Sequence, residues 1–513
     1  MPGAHFHQVA ALGQSIQRRF EIRAPFTART EFANQLFERG PRMRKPRDVI
    51  DYRSVGHQPN YKGRVSVCAT IAAMGRSPSR ASALLAALAV SALPAFSEVT
   101  ALNNFTLIDG NGGPAVANAA MLIDNGRITW IGSSARLSVP YGAKIINLTD
   151  KFVMPGIINL HGHVGYTVDL AQDLKFYTRG NIEKDLRTYA SYGVTTVLSL
   201  GTDQDLIFKV RDEQRAGRPS YARVFTAGRG FTYKTGGGMP GVTYELGDAA
   251  EIPKDMDALA ANSVDIVKLW VDDSLGRAKK MPYELSKAII DNAHQRGLRV
   301  AAHIFYLADA KQLVDAGVDA LAHSVRDQLV DQELIESMRK HGTWLQAATL
   351  TRDESTFIYA SAPAFLTDPF FTRSVSAAAL AGLKDPESQK RFASDPNVSR
   401  YPEILDMARK NLKRLADAGI PYGMGTDSGN PRRFPGFFEH WEMELMVDAG
   451  LTPTQVITAA TKRGAEFLRA ESLGTLEAGK WADLIVLGAN PAANIRNTRT
   501  IEAVYIAGTQ VAP

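Results

Sequence analysis

Ten histidines are spread over 513 residues, and four of them stand where a metal ion could use them. His161-Gly-His163 closes an apolar run. In an extended strand residues i and i+2 share a face, so both imidazoles can reach one cation. A His-x-His pair alone is commonly incidental. Three further segments strengthen it: Val300-Ala-Ala-His303, Ala320-Leu-Ala-His323 and Gly423-Met-Gly-Thr-Asp427 each end a short apolar run on a ligating residue type. Lys268 lies inside Asp265-Ile-Val-Lys-Leu-Trp, a buried-strand pattern in which an unpaired ammonium is costly. Each residue singly has a bland reading, as a capped histidine, a snorkelling lysine or a helix-capping aspartate. Their shared position at strand ends is what points to a divalent-metal centre.

Those strands belong to a repeating pattern. From Val153 onward, strand, loop and helix alternate. Strand candidates are 156–160, 195–200, 223–226, 266–270, 299–302, 320–322, 343–347 and 421–425. Helix-period stretches such as 282–296, 308–316, 331–340 and 402–418 lie between several of them. Eight strands alternating with helices over about 270 residues predict an α/β fold, a (β/α)8 TIM-type barrel whose active site lies at the C-terminal ends of the strands. The chemistry-bearing residues fall on strands one, four, five, six and eight. A doubly wound open sheet would bring a Gly-rich phosphate turn after its first strand, where His161-Gly-His163 stands instead.

Short β runs flank the barrel at 105–109, 120–123, 127–131 and 144–148 before it, and at 484–487 and 503–506 after it. They predict a small antiparallel β-sandwich domain assembled from both chain ends, residues 98–152 and 465–513, around a barrel at 153–464. The stretch 350–400 carries Phe357, Tyr359, Phe365, Phe370 and Phe371 and no strand signal, which suggests an insertion over the barrel mouth; its rings fit a partly apolar substrate, though such residues more often serve simple lid packing.

The net charge of +6 is concentrated at the front: +7 in residues 1–73, +2 in 74–97 and −3 beyond. The basic character therefore does not belong to the body, and nothing supports a nucleic-acid partner. Met74-Gly-Arg-Ser-Pro-Ser-Arg, the apolar run Ala81–Leu93 and Ala95-Phe96-Ser97 read as a secretory signal peptide over 74–97, too short to span a membrane. Residues 1–73 then read as an upstream or disordered extension, with translation starting at Met74. This predicts a periplasmic or secreted protein without a stable membrane anchor. The one cysteine, Cys68, precedes the leader, so disulfides and thiolate ligands play no part.

Beyond these readings, the chain resembles the amidohydrolase superfamily, in the branch of metal-dependent Xaa-Pro dipeptidases, related carboxypeptidases and imidazolonepropionase-like proteins. Met154-Pro-Gly-Ile-Ile-Asn-Leu-His161-Gly-His163, Val267-Lys268, Ala301-Ala-His303, Ala322-His323, Gly425-Thr-Asp427 and Gly474-Thr-Leu-Glu-Ala-Gly479-Lys-Trp-Ala-Asp483 carry the resemblance, over about residues 99–513. It implies two divalent metal ions, zinc or else manganese, cobalt or iron. His161, His163 and Asp427 would hold the more buried ion, and His303 and His323 the second. Lys268 would be carboxylated to bridge both. The implied reaction is hydrolysis of an amide or peptide-type C–N bond by a metal-bridging hydroxide. Asp427 would act as general acid and base on a small-molecule or short-peptide substrate, and a homo-oligomer is compatible with it.

Tyr306 occupies the position where family deaminases commonly carry a Glu, and the strand-four lysine is present. Both favour binuclear hydrolysis over a mononuclear deaminase. Other loops depart from the dipeptidase pattern: His303-Ile-Phe, Ala322-His323-Ser and Thr235-Gly-Gly-Gly238. Lactone or ester hydrolysis therefore stays open, as does, more remotely, an inactive scaffold, although that would normally have lost ligands. A solute-binding protein would need two similar lobes. Arg229, Tyr233, Arg326, Arg432 and Arg433 lie near predicted strand ends and could grip a substrate carboxylate, but each reads equally as surface charge or a cap.

Overall fold

The computed structural model describes residues 99–234, 236 and 241–512. The leader, the extension before it and most of Thr235–Gly238 lie outside the described residues.

The first β strands are built by turn chemistry. Asn125 and Gly126 both take positive φ (50° and 80°), which closes a two-residue hairpin between Val116–Asp124 and Arg127–Ser133, with Asp124 opposite Arg127. Thr100–Leu107 pairs antiparallel with the first of these. The expected all-antiparallel sheet is in fact mixed, because Thr100–Leu107 also pairs in parallel with Lys144–Asn147 and Phe152–Pro155. The third strand already runs with the first, so the crossover at 134–143 returns the chain in that same direction. Phe152–Pro155 is the seam of the domain. It pairs with the first strand on one side and antiparallel with Leu484–Leu487 on the other, giving one eight-stranded sheet from both chain ends. Leu102, Phe105, Met121, Ile128, Val153, Leu484 and Val486 fill its own core.

The barrel strands are Ile157–Gly162, Val194–Ser199, Arg223–Thr226, Val267–Trp270, Val300–His303, Ala320–Ala322 and Trp344–Ala347. The first, second, fifth and sixth are buried along their whole length, as parallel strands covered on both faces must be. One parallel ladder joins the first three and another joins the fourth to the seventh. The ring is not one continuous ladder. Between the third and fourth strands the Asp265 amide donates to the Thr226 carbonyl at 2.9 Å.

The expected eighth strand at 421–425 is not a regular ladder strand. It is an extended segment wedged between the first and seventh strands. Its partners alternate: Leu345 N to Pro421 O and Gly423 N to Leu345 O on one side, Leu160 N to Met424 O on the other. The wedge leaves no room for side chains. A Cβ on Gly423 would lie 2.4 Å from Leu160 Cδ1, and one on Gly425 2.7 Å from His161 N.

Helices Tyr283–Gln295, Leu307–Asp315, Gln332–His341 and Tyr401–Asp417 follow the predicted periodicity, each turning an apolar stripe inward, for example Leu285, Ile289, Ile290 and Ala293. The 350–400 stretch is itself helical, with helices at Leu350–Ser355, Pro369–Thr372, Ala377–Lys384 and Pro386–Ala393. Phe365 and Phe371 stack against Phe437 and Trp441 of helix Phe437–Asp448, with ring centroids 5.0–5.2 Å apart, the packing role such rings most often have. No helix among the described residues is long and apolar enough to cross a membrane.

Gly429 shows how tightly the barrel mouth is built. Its φ is +91°, and a Cβ there would lie 1.9 Å from the His163 carbonyl oxygen. Gly297 also has positive φ (+71°) but open space around it. Gly297→Ala should therefore cost about 1 kcal/mol, and Gly429→Ala about 3 kcal/mol or more, measured as unfolding free energies in urea.

Candidate metal centre

Strand parity brings the first two histidines inward. Gly162 between them faces the other way, where a Cβ would lie 2.8 Å from Val197 Cγ2. His161 and His163 then meet residues from three other strand ends. The His161 and His323 ring centroids are 4.6 Å apart, and those of His303 and His323 4.2 Å. Asp427 lies among them. Its Oδ1 is 2.8 Å from His163 Nε2 and 3.7 Å from His161 Nε2. All of these side chains border one cavity of about 420 Å³. Lys268 is fully buried, with its Nζ 5.1 Å from the Trp270 ring centre.

One group of three is placed to share a single ion. One donor atom from each of His161, His323 and Asp427 lies within 4.8 Å of the other two. His163 touches Asp427 and is oriented by Thr202, whose Oγ1 shares a 2.8 Å hydrogen bond with Nδ1. His303 is engaged elsewhere: its Nε2 is 2.7 Å from Asp272 Oδ2.

Backbone strain marks the same place. His323, Thr349 and Asp427 take φ of 96°, 55° and 60°, a region that costs a non-glycine residue about 1–3 kcal/mol. Two of them are joined directly, since Thr349 Oγ1 is bonded to His323 Nδ1 at 2.7 Å.

The electrostatics suit a cation. Burial, reinforced by Lys268, pushes His161 well below its ordinary pKa. Burial and the neighbouring histidines do the same to His323. Burial takes His303 down to about 4 against the opposing pull of Asp272. These imidazoles are thus neutral at pH 7, with a lone pair to offer. Burial alone would raise Asp427, but Arg433 and the His163 hydrogen bond hold it well below the usual carboxylate range. Burial pushes the Lys268 ammonium down to about 7.

Three buried atoms, His161 Nδ1, His323 Nε2 and Lys268 Nζ, have no hydrogen-bond partner. Buried polar atoms are rarely left so, and this donor set fits a divalent metal ion.

Several functional neighbours escaped the sequence reading. Asp272 lies four residues past Lys268, on the same strand parity, and that spacing was the missed signal. Arg352 and Asn430 had no local signal. Arg352 Nε is 3.2 Å from Asp427 Oδ2, and Asn430 Nδ2 donates to Asp427 Oδ1 at 3.0 Å. Of the flanking residues named as carboxylate binders, Arg433 donates to Asp427 Oδ2 at 2.6 Å, and Tyr233 lines the cavity. Arg326 is buried on Asp353, Arg229 lines a separate cavity, and Arg432 covers the Phe392 ring.

The comparisons agree with this architecture. The amidohydrolase family model matches residues 152–511. An imidazolonepropionase of Streptomyces avermitilis is 23% identical over 382 residues, 73% of this chain and 81% of its own. A structure from Bifidobacterium longum, provisionally described as a prolidase, is 26% identical with a TM-score of 0.65, covering 81% of this chain and 95% of that one. A Xaa-Pro dipeptidase with bound methionine in its active site is 21% identical with a TM-score of 0.63, covering 80% and 99%. With a family match over most of its length, an α/β barrel and a histidine-aspartate cluster at the strand ends, the chain belongs to the amidohydrolase family of hydrolases.

Proposed function

We propose that the protein is a secreted binuclear metal hydrolase that cleaves an amide or peptide-type bond in a small substrate. The observation that carries this is the buried Lys268 amine without a hydrogen-bond partner, beside neutral histidines and Asp427. His161, His163, His303, His323 and Asp427 would hold the ions. A lysine near neutrality is a competent nucleophile for CO2. Its Nζ lone pair forms the N–C bond, one C=O bond opens to an oxyanion, and an N–H proton leaves to water. The product replaces an ammonium that would repel cations by a carbamate that binds them.

Asp427 moves the proton in this reading. Held ionised by Arg433, it is a weak base, so it can take a proton only from a water that has been acidified. Bound divalent cations would supply that acidity and polarise the scissile carbonyl. Asp427 then returns the proton to the leaving amine. His163 and Asn430 on Oδ1, with Arg433 and Arg352 on Oδ2, keep the carboxylate in place. The named relatives, an imidazolonepropionase and a Xaa-Pro dipeptidase, favour a C–N substrate. Tyr306, whose hydroxyl donates to Asp273 at 2.8 Å, supports hydrolysis over deamination. Lactone hydrolysis is the second reading, since the same centre would serve an ester.

Elemental analysis should find about two divalent ions per chain. Lys268→Ala should lower that number and cut amidase activity by more than the ~10–100-fold typical of changes behind a ligand. A metal-free protein indifferent to this change would defeat the proposal. N-acyl amino acids and varied dipeptides should be turned over in preference to lactones in a substrate screen. The buried amine has a further consequence in metal-free protein kept without CO2. Between pH 7 and about 10 the unfolded lysine binds a proton that the folded one does not. Stability should therefore rise with pH across that window, and Lys268→Met should flatten the rise in thermal midpoints. N-terminal sequencing of the native protein should place the mature start near Glu98, and a start well before it would contradict secretion through a 74–97 leader.

A further inference from the structure

The cluster members His161 and Asp427 come from opposite ends of the barrel sequence, and one buried carboxylate links them. Glu439, in the first turn of helix Phe437–Asp448, is fully buried and accepts four hydrogen bonds. Oε1 receives Asn159 Nδ2, Thr426 Oγ1 and Ser428 Oγ, each at 2.7 Å, and Oε2 receives the Gly436 amide at 2.6 Å. These donors are not scattered. Thr426 and Ser428 flank Asp427 in the chain. Asn159 Oδ1 accepts the His161 amide at 2.9 Å, while the His161 carbonyl accepts the Asp427 amide at 2.6 Å. Tyr189 closes the arrangement through a 2.7 Å bond to Ser428 Oγ.

We propose that Glu439 is a positioning residue of the metal centre, clamping both neighbours of Asp427 and, through Asn159, the backbone of His161. Asp427 sits at φ 60°, a conformation that persists only where the surroundings over-determine it. The two residues beside it share a single acceptor oxygen, and that sharing supplies the constraint. Four donors also explain why the acceptor is a carboxylate. An amide has one acceptor oxygen, and its NH2 would face the Gly436 N–H, donor against donor.

The inference rests on the metal-centre reading, so the test measures metal retention in the folded protein. Wild type, Glu439→Leu, Glu439→Gln, Thr426→Val and Ser428→Ala are loaded with zinc, and zinc loss to a chromogenic chelator is timed well below each thermal midpoint. Glu439→Leu should release zinc about 10–100-fold faster than wild type, the effect usual for a group that orients ligands. Glu439→Gln should fall between the two, and Thr426→Val and Ser428→Ala should each accelerate release several-fold. Asp483→Asn serves as the stability control. It breaks a buried 2.7 Å ion pair with Arg223, bonded also to Ala507 and to none of the candidate ligands. It should lower the thermal midpoint and leave zinc release unchanged. Equal release from Glu439→Leu and wild type, or equal acceleration in Asp483→Asn, would overturn the proposal. If Glu439→Leu does not fold, unchanged release from both Thr426→Val and Ser428→Ala overturns it. A wild type that binds no zinc would instead remove the metal-centre reading itself.

Discussion

The mouth of this barrel gathers polar groups that have been stripped of water and given too few partners. Lys268 has no hydrogen bond, His161 and His323 each carry a buried ring nitrogen without one, and Asp427 lies between them. Burying such groups unsatisfied costs on the order of 1–3 kcal/mol each, and more for a charge. A protein that accumulates several in one place, on separately positioned strands, needs a ligand that satisfies them together. A divalent cation does so, because it takes lone pairs from neutral imidazoles and charge from a carboxylate. The same shortage explains why the lysine is useful only once its amine is converted to an anion.

The rest of the fold holds this arrangement against its own strain. Three non-glycine residues around the cluster have left-handed backbone, and each is tied down: Thr349 to His323, and Asp427 by the pairing of its neighbours with Glu439. Gly423 and Gly425 let the last strand segment press against the first, which carries the two leading histidines. A second buried carboxylate on the same helix, Glu442, receives the Leu350 and Thr351 amides and so fixes the first turn of helix Leu350–Ser355, which presents Arg352 to Asp427. Helix Phe437–Asp448, apolar on most sides, is thereby the support of the site, with the insertion's aromatic rings packed on its far side.

Much of this is legible in the sequence. Period-two parity placed His161 and His163 on one face, and apolar runs ending in His303, His323 and Asp427 located the strand ends. These are local signals, carried by neighbouring residues. What escaped depends on contacts between distant segments. The eighth strand lost its ladder because it is squeezed between two others. The insertion's phenylalanines pack on a helix far along the chain, Phe437–Asp448, and Glu439 has no motif around it. Asp272 is the exception: its parity with Lys268 was readable, and its hold on His303 follows from it. The expected sharing of ligands came from resemblance; the side chains bring one ligand atom from each of His161, His323 and Asp427 within 4.8 Å of one another, with His163 on Asp427 and His303 beside His323.

The central claim is that this unsatisfied cluster is a binuclear metal centre completed by a carboxylated lysine. Anomalous diffraction from crystals grown with zinc and bicarbonate, recorded above and below the zinc edge, tests it most directly. The account predicts two peaks among His161, His163, His303, His323 and Asp427, joined by density extending from Lys268 Nζ. No peak at the cluster, or a bare Lys268 amine beside a single ion, would contradict it.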